Sequence, residues 1–227
     1  MRIGIIGAMQ MEVDALQAAM ISPASETVSG ITFVTGKIGS HDVIAAVCGI
    51  GKVFAAMCAQ TMILKYNPEA IINIGVAGTV TKGLQVLDIA IADKVCQHDM
   101  DTSPLGDPVG LISGINRIYF PADEKLAAAI GAAAAKLGFR SVSGTVASGD
   151  QFIHTAEKKD FIRETFGAVA AEMEGGSIGH VCTVNKVPFA VLRTISDGDG
   201  AAMDYATFAP KAAVQSIEVI METLKSL

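Results

Sequence analysis

Three acidic residues follow apolar segments of the sequence, in positions that could support acid–base chemistry. Glu12 comes soon after the first apolar segment, Glu174 follows the segment 169–171, and Asp197 follows the segment 188–195. Because the carboxyl ends of parallel strands face one crevice in an open α/β sheet, we expect these side chains to converge. Neighbouring carboxylates repel one another, which favours protonation of one of them. An ionised base beside a protonated acid suits cleavage of a glycosidic bond through an oxocarbenium-like state.

The second of these acids lies in the segment Glu172-Met173-Glu174-Gly175-Gly176. Side chains two positions apart point to the same face of a regular strand, so both glutamates are expected on one side. A strand end that opens into glycines is where α/β proteins place ligand-binding groups. Two solvated carboxylates in a surface loop are the alternative, which the apolar flanking residues disfavour. We therefore expect this segment to hold a hydroxylated ligand.

Other segments could provide a slot for a flat, apolar ligand. A predicted strand at 70–74 ends in Gly-Val-Ala-Gly at 75–78, where a flat ligand could approach the backbone, although a tight turn explains these glycines equally well. Phe152 follows another predicted strand and could stack on an aromatic ligand, although most phenylalanines pack in cores. Arg193 interrupts an apolar strand, where its charge is costly unless a carboxylate or a ligand pairs with it.

Two motifs suggest a cofactor or a metal without the spacing that either needs. Gly49-Ile50-Gly51-Lys52 resembles a phosphate-binding loop, but the earlier glycine is missing and Val53 stands where serine or threonine is required. The glycines near the N-terminus do not form the dinucleotide-binding fingerprint either. His98, Asp99 and Asp101 could suggest a metal site, but no second histidine lies at ligand spacing. We expect neither a cofactor nor a metal.

Strand and helix patterns alternate along the sequence without a linker or an internal repeat. This alternation predicts one α/β domain over residues 1–227, with a largely parallel central sheet flanked by helices. The predicted strands are 2–7, 31–37, 42–48, 70–74, 86–95, 141–148 and 188–195, and the strand before Glu172. The predicted helices begin near Met9 and cover 52–66, 123–137, 157–166, 175–184 and 207–224.

Composition excludes several classes of protein. The net charge of −6 argues against a nucleic-acid binder, which needs clustered lysine and arginine. The cysteines are far apart and have no companion histidines, so we interpret them as reduced core residues of a cytoplasmic protein. The N-terminal apolar run is too short for a signal peptide, and no segment approaches the length of a membrane span.

The chain resembles the bacterial 5′-methylthioadenosine/S-adenosylhomocysteine nucleosidases of the nucleoside phosphorylase superfamily. The resemblance runs from end to end through IGIIGAMxxE, CGIGK, IINIGVAG, HDMD, SGDQFI, AEMEGG and RTISD. It implies a single three-layer α/β domain with a central mixed, mostly parallel sheet. Such a domain would hydrolyse the N-glycosidic bond of methylthioadenosine, S-adenosylhomocysteine and 5′-deoxyadenosine. Adenine would be released for methionine salvage and S-adenosylhomocysteine recycling. The family forms homodimers in which a loop of the partner closes the 5′ end of the site.

The resemblance also implies a role for each matched residue. Glu12 would activate the attacking water, with Arg193 helping to position it, and Glu174 would accept hydrogen bonds from the ribose hydroxyls. Asp197, oriented by Ser196, would protonate N7 of adenine, which leaves poorly as an anion. Phe152 would stack on adenine, the backbone of Ile153 would bind its edge, and Met173 would pack beside the sugar. The other residues implied to line the site are Met9, Ile50, Val76, Ala77, Gly78 and Tyr205.

The chain departs from the family pattern toward the 5′ end of the site. Val76 stands where many members have serine, and Leu105 stands where the partner loop usually carries an aromatic residue. The segment from Gly198 to Gly200 is shorter and rich in glycine, and Tyr205 lies near the place of a pocket phenylalanine. These departures leave the preference among the 5′-substituted adenosines open.

Three alternatives remain beside adenine nucleoside hydrolysis. A purine nucleoside phosphorylase would need positive charge where Glu12 stands, so a carboxylate there favours water over phosphate. A hydrolase of futalosine-type nucleosides would share the acids and extend the 5′ pocket. A catalytically inactive purine-binding protein is disfavoured, because binding alone has no need for a proton donor such as Asp197.

Overall fold

A mixed β-sheet forms the centre of the molecule, and helices cover both of its faces. The computed structural model describes residues 1–198 and 202–227. The strands are β1 (Arg2–Gly7), β2 (Ile21–Val28), β3 (Ile31–Ile38), β4 (His41–Val47), β5 (Ala70–Thr79), β6 (Ile89–Gln97), β7 (Tyr119–Pro121), β8 (Ser141–Ser148), β9 (Ala168–Glu172) and β10 (Phe189–Asp197). The helices are α1 (Asp14–Ala18), α2 (Lys52–Tyr66), α3 (Glu124–Lys136), α4 (Ala156–Phe166), α5 (Gly175–Asn185) and α6 (Ala202–Thr223).

Part of the sheet closes into a ring. The strands follow the order β10-β6-β8-β9-β5-β1-β4-β3-β2, and β5 also pairs with β10. This additional pairing joins β5, β10, β6, β8 and β9 into a closed circuit, from which β1, β4, β3 and β2 extend as an open sheet. Parallel pairings join β1 to β4 and β5, β10 to β5, and β8 to β6 and β9. The remaining pairings are antiparallel, so the predicted mixed α/β fold is confirmed.

The two faces of the sheet bury separate apolar clusters. Successive side chains of a strand point to opposite faces, and accordingly Ile6 joins the cluster covered by α2 and α5, while Ile5 joins the cluster on the other face. Met62 of α2 and Ile178 of α5 pack into the first of these clusters. Helices α1, α3 and α6 pack into the second cluster, in which Ile220 is completely buried. Strands buried on both faces explain why the sequence shows continuous apolar runs instead of alternation.

The structure differs from the sequence prediction at several places, which include the short unpredicted strand β7. Strand β2 was not predicted, because it is an exposed edge strand with neither an apolar run nor an alternating pattern. The helix expected near Met9 is replaced by a 3₁₀ turn at Gln10–Glu12 followed by the short α1. The strand predicted to end at residue 74 continues to Thr79, so the tight turn considered as an alternative at 75–78 is absent. The predicted departure from the family pattern at Gly198 to Gly200 falls largely on residues 199 and 200, which lie outside the described part of the chain.

Other predictions concern position in the cell and the number of domains. In the part of the chain that the structure describes, no helix is long and apolar enough to cross a membrane. All four cysteines are buried and free. The boundaries of one domain at 1–227 stay a prediction.

Candidate active site

A cavity of about 430 Å³ opens where β1, β5, β9 and β10 end. This volume is within the range of small-molecule binding sites. Every residue that the sequence predicts for the site lines this cavity, although the roles assigned to them stay predictions. They are Met9, Glu12, Ile50, Val76, Ala77, Gly78, Phe152, Ile153, Met173, Glu174, Arg193, Ser196, Asp197 and Tyr205. Ala8, Gln151, Ala171 and Glu172 complete the lining.

Glu12 is held at the cavity by backbone donors on both of its oxygens. Its Oε2 accepts hydrogen bonds from the N–H groups of Ala8 (2.7 Å) and Met9 (2.9 Å), and its Oε1 accepts one from Val76 (3.1 Å). The side chain is buried, and burial raises the pKa of Glu12, against the charge of Arg193 and the three backbone donors, which lower it. The carboxylate is therefore fixed in orientation and is a stronger base than an exposed glutamate.

Glu172 and Glu174 do not share one strand face, contrary to the prediction. Strand β9 ends at Glu172, and Glu174 occupies the capping position just before α5. Glu172 accepts hydrogen bonds from the N–H groups of Glu174 (3.0 Å) and Gly175 (2.8 Å), from the Ser148 hydroxyl, and from Arg193. Because its oxygens accept all these bonds, Glu172 is turned into the structure, although its side chain also borders the cavity.

Arg193 lies beneath the cavity and binds several acceptors. Its Nη2 donates to Glu172, to Asn73 Oδ1 (2.5 Å) and to Glu174 Oε2 (3.4 Å), and its Nη1 donates to the carbonyl of Val76 (3.5 Å). The predicted carboxylate partner is thus present. Burial opposes the charge, but Glu172, Glu174 and Glu12 outweigh burial and raise the pKa of Arg193. The Nε–H has no partner among the described residues.

Glu174 keeps one oxygen available at the cavity. Its Oε1 accepts the N–H of Gly51 at 2.9 Å, and its Oε2 lies at the longer distance from Arg193. Burial raises the pKa of Glu174 to about 7, although Arg193 lowers it, and the charge of Glu172 raises it further. A carboxylate that is not saturated with donors can still accept hydrogen bonds from a hydroxylated ligand.

Asp197 ends β10 at another wall of the cavity. The Ser196 hydroxyl donates to its Oδ1 at 2.9 Å, and the same hydroxyl lies 3.4 Å from the carbonyl of Ala77. Burial raises the pKa of Asp197, while the Ser196 hydrogen bond and the charge of Lys159 lower it. A raised pKa favours the protonated form, which is the form that can act as a proton donor.

The glycines of β5 make room for the acids. A Cβ at Gly75 would collide with Arg193 Nη1 and lie 2.6 Å from Glu12 Oε1, and a Cβ at Gly78 would lie 2.7 Å from Asp197 Oδ2. The sequence predicted that a flat ligand approaches this backbone. In the structure, charged side chains of the protein itself lie against Gly75 and Gly78 and explain why glycine is needed there.

Apolar side chains form one side of the cavity. The rings of Phe152 and Tyr205 meet edge to face, with centroids 5.7 Å apart, and the Tyr205 hydroxyl donates to Met9 Sδ at 3.3 Å. Phe152 is 43% exposed, so part of its ring is free to contact a ligand. Val76 contributes an apolar side chain that packs on Ala212 and Ala213 of α6.

The residues missed by sequence interpretation are the supporting ones. The sequence interpretation assigned no specific role to Glu172 or Asn73, yet both bind Arg193. The only signal available was the cost of burying an arginine, which predicts a partner without identifying it. Among the described residues, no group of three or more His, Cys, Asp or Glu side chains is arranged to hold a metal ion.

Comparison with known proteins identifies the family. The family model described as the phosphorylase superfamily matches residues 2–225. A protein of Shewanella halifaxensis named 5′-methylthioadenosine/S-adenosylhomocysteine nucleosidase is 38% identical over 231 residues and covers 100% of both chains. The chain belongs to this nucleosidase family, within the phosphorylase superfamily.

Solved structures of two relatives superimpose on the whole chain. The S-adenosylhomocysteine nucleosidase of Streptococcus pyogenes, solved with 5-methylthiotubericidin, has a TM-score of 0.95 and 31% identity, and covers 100% of this chain and 97% of its own. The futalosine hydrolase of Helicobacter pylori also has a TM-score of 0.95, with 34% identity and coverage of 100% and 98%. The nucleosidase family thus shares its fold with an enzyme named for a different nucleoside.

Proposed function

We propose that this protein hydrolyses the N-glycosidic bond of 5′-methylthioadenosine and S-adenosylhomocysteine, and of 5′-deoxyadenosine, releasing adenine and the 5-substituted ribose. The observation that carries the proposal is that Glu12 and Asp197, both with raised pKa values, line one cavity with an aromatic ring between apolar walls. The names of the relatives support the same activity. A role in methionine salvage and S-adenosylhomocysteine recycling follows from these substrates.

In the proposed reaction, Glu12 takes a proton from water while the water oxygen attacks C1′ of the ribose. The bond from C1′ to N9 of adenine breaks through an oxocarbenium-like state, and its electrons pass into the base. Asp197 delivers its proton to N7, so adenine leaves as a neutral molecule instead of an anion. The two protein groups thus supply a base on one side of the sugar and an acid on the side of the leaving group.

The remaining residues are proposed to hold the nucleoside. Glu174 accepts hydrogen bonds from the ribose hydroxyls, and Phe152 stacks on adenine. Arg193 is proposed to help position the water, and its hydrogen bonds to Glu172 and Asn73 support a fixed orientation for this task. Ser196 orients Asp197 through its hydrogen bond.

Water is proposed as the nucleophile in place of phosphate. Glu12 presents negative charge to the region where a phosphorylase needs positive charge, and Arg193 is already paired with Glu172 and close to Glu174. The test is release of adenine from methylthioadenosine by purified protein in a buffer without phosphate. Strict dependence on added phosphate would instead identify a phosphorylase, and ligand binding without any turnover would identify a purine-binding protein.

A second candidate is hydrolysis of a futalosine-type nucleoside, which the likeness to the Helicobacter pylori hydrolase favours. Both candidates use the same acids and differ at the 5′ substituent. Rates for methylthioadenosine, S-adenosylhomocysteine, 5′-deoxyadenosine and aminofutalosine, measured side by side, distinguish them. Valine at position 76 and leucine at position 105 would both act at this end of the substrate.

We also propose that the protein is a homodimer in which the partner's loop near Leu105 closes the 5′ end. Leu105 is 84% exposed, and α2 exposes Val53 and Phe54 just after the cavity residue Ile50. Val109, in contrast, is half-buried against the cluster that contains Phe166. Light scattering of wild type and of Leu105→Asp tests the dimer. Cytoplasmic location stays a prediction, supported by the free cysteines.

A further inference from the structure

The two motifs that resemble a phosphate loop and a metal site contact each other. Lys52 Nζ donates to Asp99 Oδ1 at 2.6 Å and to Gln97 Oε1 at 3.3 Å. The side chains of Lys52 and Asp99 are only 19% and 16% exposed, so this ion pair is more shielded from water than a typical surface pair. Neither motif therefore needs a phosphate or a metal to explain its charges.

Asp150 completes a closed set of hydrogen bonds with these residues. Its N–H donates to Asp99 Oδ2 at 2.9 Å, and its own carboxylate Oδ1 accepts the N–H of Lys52 at 2.8 Å. The residue at the capping position of α2 is Gly51, which has no side chain to accept a hydrogen bond. Asp150, from another part of the chain, therefore caps this helix. A carboxylate at this end also interacts favourably with the helix dipole.

This set of bonds connects two segments of the chain that reach the cavity, one proposed to bind the sugar and one proposed to bind the base. The N–H of Gly51, next to Lys52, donates to Glu174 Oε1. Gln151 and Phe152 follow Asp150 in the chain, and both line the cavity. The side chains of Lys52, Asp99 and Asp150 do not line it themselves.

We propose that Lys52, Asp99 and Asp150 form a clamp that holds the Phe152 loop against the start of α2. The clamp fixes the distance between Phe152 and Glu174, so that both contact one nucleoside at the same time. The three residues are positioning residues, because they act through Gly51 and Phe152. The identity of the ligand as an adenine nucleoside rests on the proposed function.

The alternative is an ion pair that contributes only to stability. An isolated surface ion pair contributes little to the free energy of unfolding. A helix cap also affects mainly the free energy of unfolding. A positioning role is distinguished by its effect on ligand affinity. It is distinguished further by its dependence on Glu174, through which part of that effect must pass.

The first experiment measures binding of the 7-deaza analogue of methylthioadenosine, which cannot be protonated at position 7, by titration calorimetry. Asp150→Ala is expected to weaken binding about fivefold, which corresponds to about 1 kcal/mol of binding free energy. Asp150→Asn keeps an acceptor oxygen and is expected to restore most of the affinity. Asp123→Ala is the matched control, since Asp123 caps α3 through Lys125 and Leu126 but lies outside the cavity. It should lower the melting temperature without changing the affinity.

The second experiment combines Asp150→Ala with Glu174→Gln. If the clamp acts through Glu174, the double variant loses clearly less affinity than the product of the two single losses. Losses that multiply, or a wild-type affinity for Asp150→Ala, would overturn the clamp, because independent sites behave additively. These measurements need no turnover. A wild type that binds the analogue but cleaves no nucleoside would refute the proposed function and leave the result on the clamp unaffected.

Discussion

Arg193 and Glu172 form an ion pair at the wall of the cavity, with side chains that are 1% and 2% exposed. Glu174, only two residues after Glu172, lies 3.4 Å from the same guanidinium and remains able to face a ligand. The arginine therefore contacts two acids that lie two residues apart in sequence, but it binds Glu172 more closely than Glu174. One acid is used to hold the arginine, and the other is available to the substrate.

Removal of Glu172 leaves the arginine buried without its main partner. We expect Glu172→Ala to lower the free energy of unfolding by about 3 kcal/mol, because an uncompensated buried charge is strongly destabilising. Urea denaturation measures this loss. Glu164→Ala is the control, since Glu164 pairs with Arg163 at the surface, where about 1 kcal/mol or less is expected. Equal small losses in the two variants would contradict the importance of the buried pair.

The raised pKa of Glu174 makes ligand affinity depend on pH. Burial, opposed by Arg193 and assisted by Glu172, moves this pKa from its ordinary value of 4.5 to about 7. The ionised carboxylate accepts stronger hydrogen bonds from the ribose hydroxyls than the protonated carboxyl does, so affinity for the 7-deaza analogue should increase from about pH 6 to about pH 8. Titration calorimetry at several pH values measures the change. In Glu174→Gln the dependence should become much weaker, and an unchanged slope would remove Glu174 from this role.

The same pKa has the opposite effect on stability. A carboxyl whose pKa is higher in the folded than in the unfolded state stabilises the fold below its unfolded value of 4.5. That stabilisation is lost as the pH rises through about 7. Glu174→Gln should therefore increase the free energy of unfolding near pH 8 by on the order of 1–3 kcal/mol, with little effect in acid. Denaturation curves at the two pH values provide the test, and a variant that is less stable than wild type near pH 8 would contradict it.

The acid and the base are expected to be essential for turnover and dispensable for binding. Asp197→Asn and Glu12→Gln should each reduce kcat by about 10²–10⁴, the usual contribution of general acid–base groups. Affinity for the 7-deaza analogue should change only a few-fold, because Glu174 and Phe152 remain. Adenine release and calorimetry measure the two quantities. Near-normal turnover of either variant would refute the role given to that residue.

Lys159 offers a way to move the pKa of Asp197 from outside the cavity. This lysine is buried, its Nζ donates to the carbonyl of Gly198 at 2.5 Å, and its charge lowers the pKa of Asp197. Lys159→Met should raise that pKa, so that Asp197 stays protonated to higher pH and the alkaline limb of kcat moves upward. Lys159→Arg keeps the charge and should restore the wild-type profile. A shift toward lower pH in Lys159→Met would contradict this account.

The sequence predicts residues of the site better than it predicts the contacts between them. Glu12 and Asp197 are predictable because each follows an apolar strand, and strand ends in such sheets meet at one crevice. The role of Glu172 is not, because it depends on the distance to Arg193 across the sheet. The clamp between Lys52, Asp99 and Asp150 is hidden for the same reason, since its members lie on separate elements.

Local sequence patterns were also insufficient to predict secondary structure at two places. Gly75 and Gly78 look like a turn in the sequence, but they are strand residues that leave space for charged side chains. Strand β2 has few apolar residues because it lies at the open edge of the sheet, where its side chains are exposed. In both cases the residue types are determined by neighbours in the folded structure, which intrinsic strand propensity does not include.

The closed ring of strands has a consequence for how this protein tolerates change. β8, β9, β10 and β5 all belong to the ring and all lead into cavity residues, so lengthening any one of them would distort several walls at once. The hairpin between β2 and β3 turns at Ser29 and Gly30 and contributes no residue to the cavity. It lies at the open end of the sheet, where β2 is the last strand. Peptide tags, inserted domains or new chain termini are therefore best placed at that hairpin, where they leave the walls of the cavity unchanged.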